Sequence, residues 1–331
     1  MPQRTVYLDI NHWYALGRAG QANPDSPENT ALVTALQDEV DAGRLVLPLS
    51  RVSYEELTEN PRDQLREPTA EVMWRLSKGV TIAPASRIVD EELAVELNRR
   101  FGRPAFPAKV RKFGRGVGFA FGTGPLKAVV PAGRRAEIEA RIGMTIPDAE
   151  ELLEYDVLAT PGSLRGRIPG FDPNGWRREA DAELAALKGM LDNVHGEGTS
   201  ISGRPADAVY VRQIGGDIRE NFANALTTAG YADTFTMPLR DAGEITDFIK
   251  HLPTQRVATE LKIHYARNPQ INWKINHLRD IAALSAAIPY TDAVVTDSDV
   301  WSAATHGTHL DREFNTVILR KLTELGEYLG L

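Results

Sequence analysis

Four acidic residues stand at points in the sequence where a parallel β-sheet would bring their side chains to one edge. Asp9 ends the first β-rich segment, and Asp297 follows the apolar segment 293–296. Glu56 lies just inside a predicted helix after the second apolar segment, and Asp280 lies in a predicted helix that precedes segment 293–296. Ligands of open α/β sheets bind outside the carboxyl ends of the strands, so Asp9 and Asp297 converge there if their strands are neighbours.

Converging carboxylates repel one another unless a cation neutralises them, and this requirement predicts a metal site. Oxygen ligands suit Mg²⁺ or Mn²⁺. The chain has no cysteine, which excludes a thiolate zinc site, a disulfide and a cysteine nucleophile. We therefore expect Asp9, Glu56, Asp280 and Asp297 to be both metal ligands and catalytic residues, in a site that hydrolyses phosphodiester bonds with metal-activated water.

Neighbouring residues leave some of these assignments open. Asp299 is the fallback for Asp297 and Asp292 is a weaker candidate, because the run Thr-Asp-Ser-Asp is also ordinary turn chemistry. Each of the four acids has an alternative role as a cap, a first-turn acid or a partner in a solvated ion pair. Three further residues are predicted either to orient the carboxylates or to act as caps: Asn11, Ser50 and Asn276.

The elements that must position these residues alternate between strand and helix. Apolar β-rich segments predict strands at residues 5–9, 44–49, 293–296 and 316–319. Helical periodicity predicts helices at residues 28–42, after Ser50, and at 254–267 and 272–286. This order predicts an α/β fold in which a parallel sheet is covered by helices on both faces.

The predicted α/β unit is discontinuous, because it comprises residues 1–60 and 250–331. Between them, residues 61–249 show helical pieces but no convincing strand alternation, which predicts a mainly helical insertion. The helical pieces are residues 89–100, 148–158, 176–193 and 207–229. Segment 101–124 is rich in Gly and Phe, and we expect a mobile or ligand-ordered loop there.

The formal net charge of −7 hides a basic stretch. Residues 99–141 contain eleven Lys or Arg against two Glu, a local charge of +9. Cations and aromatic rings together suit single-stranded nucleic acid, although the Phe residues could instead fill the core of the insertion. The residues predicted to bind nucleic acid are Arg103, Lys109, Arg111, Lys112, Phe113, Arg115 and Phe119.

Composition and hydropathy exclude several other classes of protein. The chain has 331 residues, of which 42% are hydrophobic and 25% charged, as in ordinary globular proteins. No apolar run approaches the ~18 residues that a membrane span requires. The start of the chain shows no targeting signal, and with the absence of cysteine it predicts a cytoplasmic protein without a membrane partner.

Four short motifs also carry a family resemblance. They are residues 7–11 (YLDIN), 49–57 (LSRVSYEEL), 280–286 (DIAALSA) and 293–297 (AVVTD), and in this order they resemble the motifs of PIN-domain nucleases. The resemblance covers residues 1–60 and 253–331. Its register selects Glu56 over Glu55, and the sequence departs from the family pattern at Ser298, between Asp297 and Asp299.

The resemblance implies a PIN-like Mg²⁺- or Mn²⁺-dependent endoribonuclease that acts on single-stranded or structured RNA. It also implies that an inhibitory protein partner could exist. Two alternatives stay open: a catalytically silent PIN-like module that binds nucleic acid or protein, and a structure-specific DNA nuclease. Metal-independent binding without cleavage would indicate the first, and substrate preference would indicate the second.

Overall fold

Short strands and many helices make up the fold of the computed structural model. The model describes residues 2–19, 27–125, 127–128, 130–131, 133–160, 173–196, 205–231, 239, 241–268 and 270–331. Its strands are β1 (Arg4–Leu8), β2 (Leu45–Val46), β3 (Val80–Ile82), β4 (Phe113–Arg115), β5 (Ala293–Val295) and β6 (Val317–Leu319). Four of them form a parallel sheet in the order β2-β1-β5-β6.

The helices fall into three runs along the chain. The first run is α1 (Ile10–Ala19), α2 (Pro27–Asp41), α3 (Arg51–Glu59), α4 (Asp63–Ser77), α5 (Ala85–Phe101) and α6 (Val117–Ala120). The second is α7 (Arg135–Ile142), α8 (Ile146–Ala159), α9 (Pro173–Gly196), α10 (Pro205–Arg212), α11 (Arg219–Thr228) and α12 (Ala242–Lys250). The third is α13 (Pro253–Ala266), α14 (Ile275–Tyr290), α15 (Ser298–Ser302), α16 (Leu310–Phe314) and α17 (Leu322–Leu329). Two π-helical turns, Gln213–Asp217 and Ala303–Gly307, complete the set in the described ranges.

The parallel sheet is buried on both faces, because successive side chains of a strand point to opposite sides. Val6 and Leu8 of β1 lie in one hydrophobic cluster with residues of α1 to α4. Tyr7, between them, and Val294 of β5 lie in a second cluster with residues of α13 and α14. The sheet is therefore flanked by helices on both sides, which confirms the α/β class and the parallel sheet predicted from sequence.

The strands and helices of the predicted α/β unit lie close to their expected positions. Residues 28–42 are predicted to be helical and α2 spans Pro27–Asp41, after which Gly43 adopts a left-handed conformation with φ of 69°. Glycine adopts this conformation without the steric cost that a Cβ would bring. The second strand is shorter than the predicted 44–49, since β2 covers only Leu45–Val46.

The segment 61–249 is mainly helical, as predicted, but the expectation that it lacks strands is wrong. β3 and β4 pair antiparallel, and Thr81 of β3 also forms a single bridge with Leu49, three residues after the end of β2. The segment also shares the core of the α/β unit: Met73 of α4 and Val157 of α8 belong to the same hydrophobic cluster as Val6 and Leu8 of β1. The inserted helices therefore support the sheet directly.

The close contact between α1 and α4 predicts that the mutation Gly17→Ala destabilises the protein. A Cβ on Gly17 would overlap the hydroxyl of Thr69 and lie 2.7 Å from the Cα of Thr69, where only a backbone shift could make room. Overpacking of this kind costs about 1–3 kcal/mol, more than the ~1 kcal/mol that alanine gains over glycine inside a helix. The measurement is the free energy of unfolding in urea.

The matched control is Gly189→Ala in α9, where nothing lies within 4 Å of the added Cβ. That mutation should leave the free energy of unfolding unchanged or raise it. Equal effects of the two mutations would contradict the proposed α1–α4 contact.

Candidate functional site

The pairing of β1 with β5 brings two of the predicted acids to one edge of the sheet. The backbone N–H of Asp9 donates to the carbonyl of Val295 at 2.9 Å, so the two strands end side by side. Asp9 follows β1 directly, and Asp297 follows β5 after one residue. The convergence that the sequence analysis made conditional on neighbouring strands is therefore observed.

Both of these aspartates also accept hydrogen bonds from backbone N–H groups at the start of the helices that follow them. The Oδ1 atom of Asp9 accepts a hydrogen bond from the N–H of Ile10 at 2.7 Å. The Oδ1 atom of Asp297 accepts from the N–H groups of Asp299 and Val300 at 3.0 and 2.9 Å, which caps α15. The capping role and the place at the sheet edge are thus compatible, because one oxygen of each carboxylate makes these bonds while the side chain still lines the cleft described next.

A cleft of 840 Å³ at this edge brings the predicted acids together. Glu56 reaches it from α3 and Asp280 from α14, and Asp9 and Asp297 line it from the strand ends. Three other predicted residues line the same cleft: Asn11, Asn276 and Asp299. Asp292 does not line it, because its side chain accepts a hydrogen bond from the N–H of Thr5 at the opposite end of the strands.

The structure also distinguishes the two adjacent glutamates of α3. Glu56 lines the cleft of the aspartates, whereas Glu55 is buried and accepts a hydrogen bond from the Nε of Arg51 at 2.6 Å. Neighbouring residues of a helix point about 100° apart, so only one of them can face the sheet edge. The register that selected Glu56 agrees with this placement.

Burial and mutual repulsion disfavour the charged forms of these carboxyl groups. Burial first, and then the charge of Asp297, raise the pKa of Asp9 to about 6 against the opposing hydrogen bond from Ile10. Burial and then the charges of Asp9 and Asp280 raise the pKa of Glu56 to about 8. The pKa of Asp280 rises to about 8 through burial and the charges of Asp9 and Asp297. The three groups therefore lie in one electrostatically coupled cluster.

Few cations offset this negative charge. Six carboxylates line the cleft, against two cations, which gives a formal charge of −4 with the histidines neutral. Arg279 is one of the cations, but both of its terminal nitrogens donate to Glu59, at 2.9 and 2.6 Å. Lys274 is the other and is exposed at the cleft. The cleft carries surplus negative charge that a bound cation would neutralise.

The carboxylates of the cleft are suitable ligands for a hard cation, but their side chains are not close enough together for three of them to hold one ion. Asp and Glu side chains bind metal ions through oxygen atoms, which are the ligands that Mg²⁺ and Mn²⁺ prefer. In the part of the chain that the structure describes, no three His, Asp or Glu side chains are grouped so that they could hold a metal ion as they stand. Binding of one ion by three of these residues would therefore require their side chains to move closer together.

Ser50 caps a helix, which is one of its two predicted roles. Its hydroxyl accepts a hydrogen bond from the N–H of Ser53 at 3.2 Å and caps α3. The same hydroxyl lies 3.0 Å from the phenol oxygen of Tyr7, a buried residue of β1. Ser50 therefore acts on the start of the helix that carries Glu56, and the capping alternative is correct.

The expectation of a mobile or ligand-ordered loop is wrong for residues 113–120, which contain β4 and α6. Phe113 and Phe119 pack against Ile82 and its buried neighbours, so in this arrangement their rings do not stand free to stack on bases. Lys112 forms an ion pair with Glu91. This part of the segment is ordered because its rings pack against a small core that β3, α5 and α14 supply.

The same stretch braces α3. The ring of Phe121 lies edge-on to Tyr54 of α3, with the ring centroids 6.2 Å apart, and the Arg51 guanidinium lies 5.4 Å from the centroid of Phe121. Arg115 donates to the carbonyl of Lys78 at 2.9 Å and so holds β4 against the end of α4. These residues fix the position of the helix that carries Glu56.

The other predicted basic residues are exposed, as nucleic-acid contacts would need to be. Arg103, Lys109 and Arg111 are exposed, and none of them forms an ion pair with another described residue. Phe106, which lies between them in sequence, is 92% exposed. We call these four residues the basic tip.

Several residues of the cleft were not predicted as site residues. Those with a charged or ring side chain are Tyr14, Glu59, His264, Tyr265, Lys274, His277 and Arg279. The sequence could have indicated His277 as a site residue, because it precedes Asp280 by three residues and therefore lies on the same side of α14. It gave no such indication for Tyr265, because the place of Tyr265 at the cleft depends on how α13 packs against α14.

Comparisons of this chain with protein-family models, with curated proteins and with solved structures gave no match. The site therefore has to be interpreted from its own geometry. Among the described residues, no helix is both long and apolar enough to cross a membrane.

The raised pKa values of the cleft predict that the metal-free protein loses stability as pH rises. Each group binds its proton more tightly in the folded chain than in the unfolded chain, so unfolding releases protons between about pH 4 and pH 8. The contribution of Asp9, Glu56 and Asp280 is then fully present below their unfolded pKa values and is lost as the pH passes through the folded ones. The measurement is the thermal unfolding midpoint in EDTA from pH 5 to pH 9.

The mutation Glu56→Gln should flatten this pH dependence, because the amide does not ionise. Added Mg²⁺ or Mn²⁺ should stabilise the wild-type protein more at pH 9 than at pH 5, since a cation binds the ionised carboxylates. Equal slopes in the wild-type and Glu56→Gln proteins would contradict the coupling.

Proposed function

We propose that this chain is a metal-dependent nuclease that hydrolyses phosphodiester bonds, and that its substrate is RNA. The observation that carries the proposal is the cleft at the carboxyl edge of the parallel sheet, which is lined by all four of the predicted acids. Beyond the Oδ1 atoms of Asp9 and Asp297, the carboxylate oxygens of these four residues have no hydrogen-bond donor among the described residues. Asp9 is buried and the other three are partly buried, so a bound cation would offset the cost of holding their charges close together.

Asp9, Glu56, Asp280 and Asp297 would hold Mg²⁺ or Mn²⁺, with Asp299 as the alternative to Asp297. When bound, the ion lowers the pKa of water and neutralises the phosphate. The residues of the chain have separate tasks around it. The amides of Asn11 and Asn276 would hold a water or a phosphate oxygen in place, and the ammonium group of Lys274 would contact the phosphate of the substrate.

The cations of the basic tip support nucleic acid as the substrate. Arg103, Lys109 and Arg111 are exposed and form no ion pair with another described residue, so their charges can contact phosphates. Phe106 offers an exposed ring on which a base can stack. RNA is preferred to DNA on the resemblance to the PIN-domain nucleases alone.

A catalytically silent module that binds RNA is the second candidate. The observation in its favour is that no three acidic or imidazole side chains in the described ranges are grouped to hold a metal ion as they stand. Titration of the metal-free protein with Mn²⁺ in a calorimeter separates the two candidates, because a silent module would bind RNA without binding the ion.

The mutation Asp9→Asn should abolish cleavage and leave folding intact. The amide has nearly the same shape and keeps an oxygen for the N–H of Ile10, but it loses the charge that a divalent cation needs. We expect the rate to fall at least about 100-fold, since loss of even an outer partner of a metal ligand costs 10- to 100-fold. The measurement is cleavage of end-labelled tRNA, mRNA and single-stranded DNA with Mg²⁺, Mn²⁺ or EDTA.

Asp292→Asn is the matched control, because Asp292 precedes the same strand that Asp297 follows. It should cleave at the wild-type rate. Near wild-type cleavage by pure Asp9→Asn protein would rule out this site, and metal-dependent cleavage by wild type and control alone would support it.

Replacing the three cations of the basic tip by glutamine should weaken RNA binding and reduce its salt dependence. For a single strand, the slope of log K against log salt should fall by about 0.7 for each phosphate that the mutant protein no longer neutralises. Fluorescence anisotropy of a labelled RNA in EDTA at several NaCl concentrations measures both effects.

The control is Arg134→Gln combined with Arg135→Gln on α7, because these exposed cations are paired with Glu137 and Glu139. It should change affinity and slope much less. If both sets of mutations have the same effect, the basic tip has no special part in binding.

A further inference from the structure

One wall of the cleft is aromatic. Tyr265 of α13 and His277 of α14 both line it, and their rings are stacked with centroids 5.3 Å apart and planes 19° from parallel. Trp273 is buried behind them and meets both rings edge-on, at 5.9 Å from each. We call Tyr265 and His277 the ring pair. Trp273 therefore packs against both members of the ring pair.

The ring pair lies near the acids. The pKa of Tyr265 is raised by burial and then by the charges of Asp280, Asp297 and Asp299, which places its phenol within electrostatic reach of all three. Among the described residues, the phenol oxygen has no hydrogen-bond partner. A ligand whose charged part met the acids, with a cation between, would therefore extend its neighbouring part toward the ring pair.

The charges of the cleft decide which part of a nucleotide the ring pair could hold. With all six carboxylates ionised the cleft carries a formal charge of −4, so the ionised cleft repels phosphate unless a cation is bound. A nucleobase is neutral and has a flat π-face that stacks on aromatic side chains whatever its sequence. A third ring added to a stack of two also needs little reorganisation of the protein.

From this juxtaposition we propose that the ring pair of Tyr265 and His277 binds one unpaired nucleobase beside the phosphate that is cleaved. The proposal rests on the proposed nuclease function and narrows its substrate to strands that are single-stranded at the cut, because a paired base cannot offer its face to a side chain. The volume of 840 Å³ is within the ~300–1,000 Å³ of ordinary ligand sites. The basic tip would hold more distant phosphates.

His277 also has a purely structural role that must be separated from base binding. Its Nδ1 accepts a hydrogen bond from the N–H of Lys274 at 3.3 Å, at the start of α14. His277→Phe keeps a flat ring and loses the acceptor. His277→Gln keeps an acceptor of the type favoured at this helix position and loses the ring. Base binding and helix capping therefore predict opposite orders of effect for the two mutations.

The test uses a single-stranded methylphosphonate DNA hexamer with 2-aminopurine at one position, in EDTA. Its backbone is uncharged, so the acids do not repel it and no cleavage occurs. Stacking quenches the fluorescence of 2-aminopurine. We expect saturable quenching by the wild-type protein, an affinity within about threefold of wild type for His277→Phe, and an affinity at least about tenfold weaker for His277→Gln. His306→Gln, which changes a histidine outside the cleft, should bind like wild type.

Two results would overturn the proposal: no saturable quenching by the wild-type protein, or His277→Gln binding as well as His277→Phe. The thermal unfolding midpoint of each variant reports the capping role independently, and we expect the larger decrease for His277→Phe. Failure of the nuclease proposal is visible separately, as wild-type protein that quenches the hexamer but does not cleave RNA with Mg²⁺ or Mn²⁺.

Discussion

The repulsion among carboxylates at one edge of a parallel sheet is the constraint on which the site depends. The pairing of β1 with β5 sets it, because the hydrogen bond from Asp9 N–H to the Val295 carbonyl makes the two strands end together. α3 and α14 then bring Glu56 and Asp280 to the same edge. When these carboxyl groups are close together, either some of them stay protonated or a cation neutralises them. The raised pKa values show that, without a cation, the protonated forms are favoured.

The inserted segment 61–249 is part of the structure that maintains this arrangement. Its helices α4 and α8 complete the hydrophobic cluster that covers one face of the sheet. Its glycine-rich stretch packs Phe121 on Tyr54 of α3, the helix that carries Glu56. A change far from the cleft in sequence can therefore move one of its carboxylates. The four residues of the basic tip, by contrast, are exposed.

The two walls of the cleft differ in the chemistry that they offer. The sheet edge offers negative charge and oxygen atoms, and the ring pair offers flat apolar surface. A nucleotide in a strand complements both walls. Its phosphate would bind a cation held by the acids, and its base would stack on the ring pair. This match links the proposed reaction to the proposed preference for unpaired strands.

The sequence by itself predicted the α/β alternation and the placement of the four acids, because these depend on local periodicity and on position relative to a strand end. The register of the family resemblance chose Glu56 over Glu55. The sequence also left correct alternatives open, such as the capping role of Ser50. Tertiary structure alone decided that Asp9 and Asp297 are neighbours, that Phe113 and Phe119 fill a core, and that Tyr265 reaches the cleft. These facts depend on contacts between segments far apart in the chain, and composition and spacing carry no information about which distant surfaces meet.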